Sequence, residues 1–522
     1  MYRKQHNGQL SIEEFHLPFG GTLDPQNRWV LLSALMPWEE LEHSYASQFS
    51  PTVGAPAKPL RLAFGALFIK QRLSLTDEET VHQIRENAYI QFFLGFSGYS
   101  NKVPFDPSMM VHFRKRFSDE DLRRINELVV QRGKEMLIES KKNKVEDDDS
   151  DQQGPNAGDQ LSLDDLVKPA DWPEEQNWGT LSIDASCTPA DITYPTDLKL
   201  LNEARESTEK VIDDLCKQNA GFVSHRPRYH RGKARAHFLS VAKQKKPRRR
   251  KLKAAIRRQL GYLQRNLEAI DALIASGARL SALKRHWWQK LLACSELHRQ
   301  QSDLINSQTR SIPDRLVNLV QRQVRPIVRG KARAAVEFGA KISISVQNGF
   351  PFLHRISWNA YNEGSDLISQ AEKYKQDNGC YPERICADRI YINSKNRHYC
   401  TRNGIRLSGK RLGRPPKDPE VNAAQKQQLS ADQRRRNEVE GVFGSGKRKY
   451  SLKLIMARLT HGAETSISMA FLVMCAEKIL RLLRLFFVLI FAWFYSLLRP
   501  RAFGAMTTHL FGASMCGFAV LA

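Results

Sequence analysis

Three acidic residues occur where carboxylates could hold divalent cations. Asp184 follows the apolar stretch Leu181-Ser182-Ile183, and Asp388 follows Ile385-Cys386-Ala387. Each reads as the polar exit of a buried strand, and two such strands side by side would bring the carboxylates together. A third acid comes from the helical stretch Arg436-Asn437-Glu438-Val439-Glu440. At 100° per residue, Arg436, Glu440, Phe443 and Lys447 share a face about 60° wide, whereas Glu438 points nearly opposite Arg436. Carboxylates are hard oxygen ligands suited to Mg²⁺ or Mn²⁺. Two such ions ~4 Å apart can activate an attacking oxygen and stabilise a leaving one. The expected chemistry is therefore metal-assisted phosphoryl transfer, with Glu440 preferred over Glu438 as the third ligand. Each Asp alone could equally cap a turn, and Arg436 with Glu440 could be an ordinary i,i+4 surface pair.

These residues need a scaffold, and the chain offers one in pieces. LSIDAS (181–186) reads as a strand and is followed by a long basic helical stretch to about residue 323. Strand patterns resume at VEFGAKISISV (336–346) and FPFLHRISW (350–358), joined by Asn348-Gly349, a dipeptide suited to a tight hairpin. A helix from Ser365 to Asn378 closed by Gly379, a strand RICADRIYI (384–392), a helix ending near Gly404 and a short strand IRL follow. Ser430-x-x-Gln433 reads as a capping box opening the helix of Glu440. Gly444 and Gly446 could end that helix before Lys447. This order predicts a mixed-sheet α/β domain interrupted by a helical insert.

Residues 1–135 read as helical. An apolar helix through Leu60–Leu73 breaks at Ser74-Leu75-Thr76, and Thr76-x-x-Glu79 opens another that continues through Phe92, Phe93 and Leu94. A third begins at Asp106-Pro107-Ser108 and runs past Phe113 and Phe117. Such short helices around a turn fit either DNA reading or plain packing. The acidic stretch 136–178, with VEDDDSDQQGPNAGDQ, reads as a linker.

The charge balance points to a polyanionic partner. Lys and Arg number 80 against 55 Asp and Glu, a net +25 over 522 residues. Residues 225–258 hold fifteen cations, among them Lys245, Lys246, Arg248, Arg249, Arg250 and Lys251, and no acid. Such a segment should bind DNA phosphates with little sequence preference. His286, Trp287 and Trp288 could pack or stack on bases. Eight scattered cysteines without metal spacing suit reduced thiols of a cytoplasmic protein. No secretory signal is legible at the start. The apolar run Leu485–Leu498 is short for a membrane span, which needs ~20 residues, so it reads as a buried or oligomer-forming helix, with membrane attachment as the rival.

Taken together, these motifs resemble bacterial insertion-sequence transposases of the DDE class, in the branch that includes the IS-five-like elements. The resemblance rests on Ile183-Asp184-Ala185-Ser186, Tyr194-Pro195-Thr196-Asp197, Arg325–Lys331, Glu337-Phe338-Gly339-Ala340-Lys341, Ala387-Asp388-Arg389-Ile390-Tyr391, Arg406–Gly409, Leu412–Pro415 and Arg436–Gly444, with Phe93-Leu94-Gly95-Phe96 in front. It covers roughly residues 10–480. It implies an RNase H-like fold in which Asp184, Asp388 and Glu440 bind two divalent ions, Mg²⁺ or Mn²⁺. Arg436 and Lys447 match the Arg-x3-Glu-x6-Lys element, whereas Gln433 stands where that motif has tyrosine. It further implies DNA ends as substrate and a homodimer in the synaptic complex, with no small-molecule substrate. The expected organisation is an all-α N-terminal domain (1–135), a linker (136–178), a catalytic domain (179–480) with a basic insertion (197–323), and an apolar tail (481–522). A nuclease without strand transfer and a catalytically inactive DNA-binding relative are the rival readings.

Overall fold

The computed structural model describes Tyr2, residues 11–145 apart from 19, 51 and 52, 168–218 apart from 170, 171, 174 and 175, 227–328 apart from 308 and 310, 336–409, and 419–497. Most of the expected linker, Arg226, Arg329–Lys331, Leu412–Pro415, Cys516 and the end of the tail lie outside them.

Among the described residues seven helices come first: α1 (Arg28–Leu35), α2 (Trp38–Ala46), α3 (Leu60–Leu73), α4 (Asp77–Glu86), α5 (Ala88–Phe93), α6 (Met109–Arg114) and α7 (Asp119–Val145). α3 is buried nearly all round, and Ser74 closes it in the left-handed region at φ 53°. The Thr76 side chain accepts from Glu79 N, the cap expected there. The one helix expected beyond it is two, because Asn87 leaves the helical conformation and caps α5 by accepting from Ile90 N. α7 runs ten residues past the expected boundary at 135.

Among the described residues the sheet has six strands: β1 (Thr180–Pro189), β2 (Arg325–Val328), β3 (Val336–Gln347), β4 (Phe350–Ser357), β5 (Arg384–Ala387) and β6 (Arg406–Leu407). Its order is β2-β3-β1-β5-β6, with β4 also on β3. β1 lies antiparallel to β3 and parallel to β5, so the sheet is mixed as expected. Asn348 and Gly349 take φ 50° and 82° in the β3–β4 turn, the left-handed pair a tight hairpin needs. β2 was not legible, being four residues with one buried. β5 is shorter than expected, since a turn of 3-10 helix replaces the strand at Arg389–Tyr391.

Alternation along β1 decides which helices cover which face. Leu181 and Ile183 join a core with Leu367, Ala371 and Tyr374 of α12 (Asp366–Asn378) and with Cys400 of α13 (Ser394–Arg402). Ser182, Asp184 and Ser186 face the other way. There lies α14 (Pro419–Lys449), which packs on β1, β3 and β5. Ser430 does not open that helix: α14 is already eleven residues long there, and Ser430 sits exposed in its middle. Gly444 and Gly446 do not end it either, because α14 continues to Lys449.

The insert forms α8 (Asp197–Gln218), α9 (Arg231–Ala242), α10 (Arg249–Ala275) and α11 (Arg285–Asn306), packed around cores of their own. Trp287 packs in one of them, while Trp288 stays 38% exposed. A further helix, α15 (Thr460–Leu497), crosses back over α7, α3 and β4. One continuous core therefore joins Trp29, Phe64 and Phe93 of the front helices to Ile344 of β3, Val439 of α14 and Phe471 of α15. The buried residues of the front helices contribute to this core, and α15 runs across them. Among the described residues no helix is long and apolar enough to cross a membrane.

Candidate active site

Asp184 stands mid-strand in β1, not at its end as expected, but it marks the end of a ladder. The parallel pairing of β1 with β5 stops at Ile183 opposite Ala387. Asp184 and Asp388 are the next residue of each strand, so they emerge side by side on one face. Asp184 is half-buried, and its Oδ1 accepts from Ala185 N at 2.8 Å. Burial pushes its carboxyl up to about 6, against the opposing pull of that hydrogen bond and of Arg436. Asp388 is half exposed and caps the following turn by accepting from Arg389 N at 2.7 Å.

α14 brings in the third acid. Asp432 forms a two-pronged pair with Arg406 of β6, at 2.8 and 2.9 Å, and Arg435 donates to Thr180 Oγ1 at 3.0 Å. Val439 and Phe443 pack into the core beneath. With the helix so fixed, Arg436 reaches Asp388 Oδ1 at 3.4 Å and Glu440 Oε1 at 2.9 Å. Two turns on from Glu440, Lys447 Nζ donates to Ser186 Oγ at 3.3 Å, two residues along β1 from Asp184. Glu438 lies on the other side of α14, where burial raises its carboxyl and Lys478 of α15 opposes the rise. Arg436, Glu440 and Lys447 thus share the face toward Asp184 and Asp388, and Glu438 does not.

The donor set contains only oxygens, which suits a hard divalent cation. Among the described residues no three acids, histidines or cysteines close into a ready cluster, since the Arg436 guanidinium bridges Asp388 and Glu440. With Glu440 55% exposed, that i,i+4 pair is worth only about 0.3–0.5 kcal/mol, too little to hold the carboxylate against a divalent ion. The residues present fit the group.

Sequence reasoning did not single out Glu363, in the turn before α12, whose charge also acts on Asp184. Its nearest sequence signal is the turn pattern Asn362-Glu363-Gly364, which carries no chemistry in itself.

In the basic segment, Lys245, Lys246, Arg248, Arg249, Arg250 and Lys251 are exposed around the start of α10. Arg231 differs, because it pairs with Asp213 and Glu209 of α8. The acids that neutralise it lie outside the segment in sequence.

The interrupted mixed sheet thus carries carboxylates on two adjoining strands, with a third on a packed helix. Comparisons with known proteins bear on two stretches of the chain. Residues 385–477 match the family described as "Transposase DDE domain", and residues 19–116 match "Transposase domain (DUF772)". The likeness to DDE transposases of insertion sequences is thereby borne out. The first span contains Asp388, Arg436, Glu440 and Lys447; Asp184 and the basic insert lie outside both. An uncharacterized protein, ORF8 in the nfe locus of Rhizobium meliloti, is 35% identical over 100 residues, which are 19% of this chain and 48% of that protein. The chain thus spans about half the length of that relative. No solved structure matches the chain.

Proposed function

We propose that this protein is a DDE transposase that cleaves DNA at the ends of an insertion sequence and joins the freed ends to a target. The observation that carries the reading is the side-by-side emergence of Asp184 and Asp388 with Glu440 fastened over them through Arg436. On this reading the sheet is the core of an RNase H-like domain. Asp184, Asp388 and Glu440 would hold two divalent ions, Mg²⁺ or Mn²⁺. Such ions, when bound, activate an attacking oxygen and stabilise a leaving one.

The chain's own residues do the rest. Arg436 and Lys447 sit on phosphates flanking the scissile bond and hold it in line. A positive rim over a strand edge neutralises the backbone as it enters. Lys245–Lys251 grips DNA outside the site without reading sequence. Water is the first nucleophile and frees a 3′-hydroxyl, which attacks the target strand in turn. Two copies acting on the paired ends form the synaptic complex, within the cytoplasm.

The deciding experiment is strand cleavage and transfer on DNA carrying the element's own ends with Mg²⁺, comparing wild type with Asp184→Ala, Asp388→Ala and Glu440→Ala. Loss of activity in all three with DNA binding retained supports the reading. Cleavage without joined products makes the protein a nuclease. An inactive wild type that still binds DNA makes it a relic.

A further inference from the structure

We propose that Glu363 is a fourth carboxylate of the divalent-cation site, completing a second cation position beside Asp184 on the flank away from Glu440. The inference rests on the transposase reading of that site.

Several observations place Glu363 there. The turn Glu363–Ser365 is pressed against the turn Arg389–Tyr391 that follows Asp388: a Cβ on Gly364 would lie 2.5 Å from Ile390 O. Buried Asn396 staples the two turns, donating to Gly364 O and to Tyr391 O, both at 2.8 Å. Asn362 Oδ1 caps the first turn by accepting from Gly364 N at 3.0 Å. The Glu363 backbone is therefore held fast next to the end of β5.

The second of these turns carries an unexplained polar atom. Tyr391 is fully buried, yet its hydroxyl has no hydrogen-bond partner. The charges acting on it most strongly are Glu363 and then Asp184. Leaving a buried hydroxyl unpaired costs about as much as a lost hydrogen bond. A hydrated cation between Glu363 and Asp184 would supply the missing oxygen partner.

Glu363 is also engaged by a cation. Lys341 of β3 places Nζ 2.9 Å from Glu363 Oε2, and the same ammonium donates to Tyr361 O at 2.9 Å and lies over the Tyr361 ring. Arg436 treats Asp388 and Glu440 the same way. Glu363 and the Asp388–Glu440 pair are thus each neutralised by an organic cation that a divalent ion would displace.

The test is Mn²⁺ binding to the full chain without DNA, by calorimetry and by the Mn²⁺ spin-resonance signal. Glu363→Gln should weaken one Mn²⁺ at least tenfold, Asp184→Asn should do the same, and the double variant should lose little more. Lys341→Met should act oppositely, tightening Mn²⁺ severalfold, because it removes the competing ammonium. A purely structural Lys341–Glu363 bridge would instead lower Tm in both variants and leave Mn²⁺ binding unchanged, which overturns the proposal. Wild-type cleavage of element-end DNA is measured alongside. Glu363-dependent Mn²⁺ binding without cleavage removes the transposase reading alone; cleavage with Glu363-independent Mn²⁺ binding removes this inference alone.

Discussion

Arg436 Nη1 lies 3.4 Å from Asp388 Oδ1, fastening α14 to a strand end 48 positions earlier. The same guanidinium holds Glu440, so one side chain sets the spacing of two carboxylates. Replacing it with Gln removes a positive charge from both. Mn²⁺ binding should then tighten about tenfold, or ~1.4 kcal/mol, while DNA cleavage falls because a phosphate contact is lost. Tighter metal and weaker cleavage together are the signature; a parallel fall in both would contradict it.

Glu438 and Glu440 should separate cleanly. Glu440→Gln should abolish cleavage and leave Tm within a degree or two, since the side chain is 55% exposed. Glu438→Gln should keep cleavage but lower stability by about 1–3 kcal/mol, because half-buried Lys478 loses its opposing charge. Thermal melts beside cleavage assays read both; a dead Glu438→Gln enzyme with normal Tm would reverse the assignment.

His354 predicts an acid limb in stability. Burial, helped by Arg123 and Lys373, lowers its pKa to about 4, and its Nε2 lies 2.9 Å from Ser345 Oγ. The unfolded chain binds the proton near pH 6.5 and the folded one only near 4. Stability from the neutral ring is therefore present above pH 6.5 and lost as pH falls toward 4. Between pH 7 and 5 the loss should be about 2 kcal/mol. His354→Gln should flatten that limb in urea titrations across the range.

Gly339 occupies a crossing point, paired with Pro189 of β1 on one side and Arg325 of β2 on the other. An added Cβ would lie 2.1 Å from Thr188 O, a backbone atom that cannot turn away. Gly339→Ala should cost about 2–4 kcal/mol and loosen β1 near Asp184. Unchanged urea midpoints would refute this.

The basic segment should announce itself through salt. Neutralising Lys245, Lys246, Arg248, Arg249, Arg250 and Lys251 removes up to six phosphate contacts. The slope of log affinity against log salt should then shrink by about 5, equally for specific and random DNA. A loss confined to element ends would mean that these residues read sequence.

Local pattern in the sequence sufficed for the β1 motif, the Asn348-Gly349 hairpin, the helical insert, the charge of its basic loop and the facing of Glu440 against Glu438. Alternation, turn dipeptides and 100° spacing are properties of neighbouring residues, so they survive without a fold. Other features depended on partners distant in the chain. Ser430 looks like a helix start in its own window, but α14 began earlier and runs through it. Asp184 looks like a strand end, whereas β1 continues because β3 pairs with it to Pro189. The front helices read as a local unit, and only the fold shows α15 sharing their core. Glu363 carried no signal, because a lone glutamate in a turn becomes a ligand candidate only when folding sets Asp184 and a buried tyrosine beside it. Residue types and spacing determined which groups were available; long-range packing decided which of them meet.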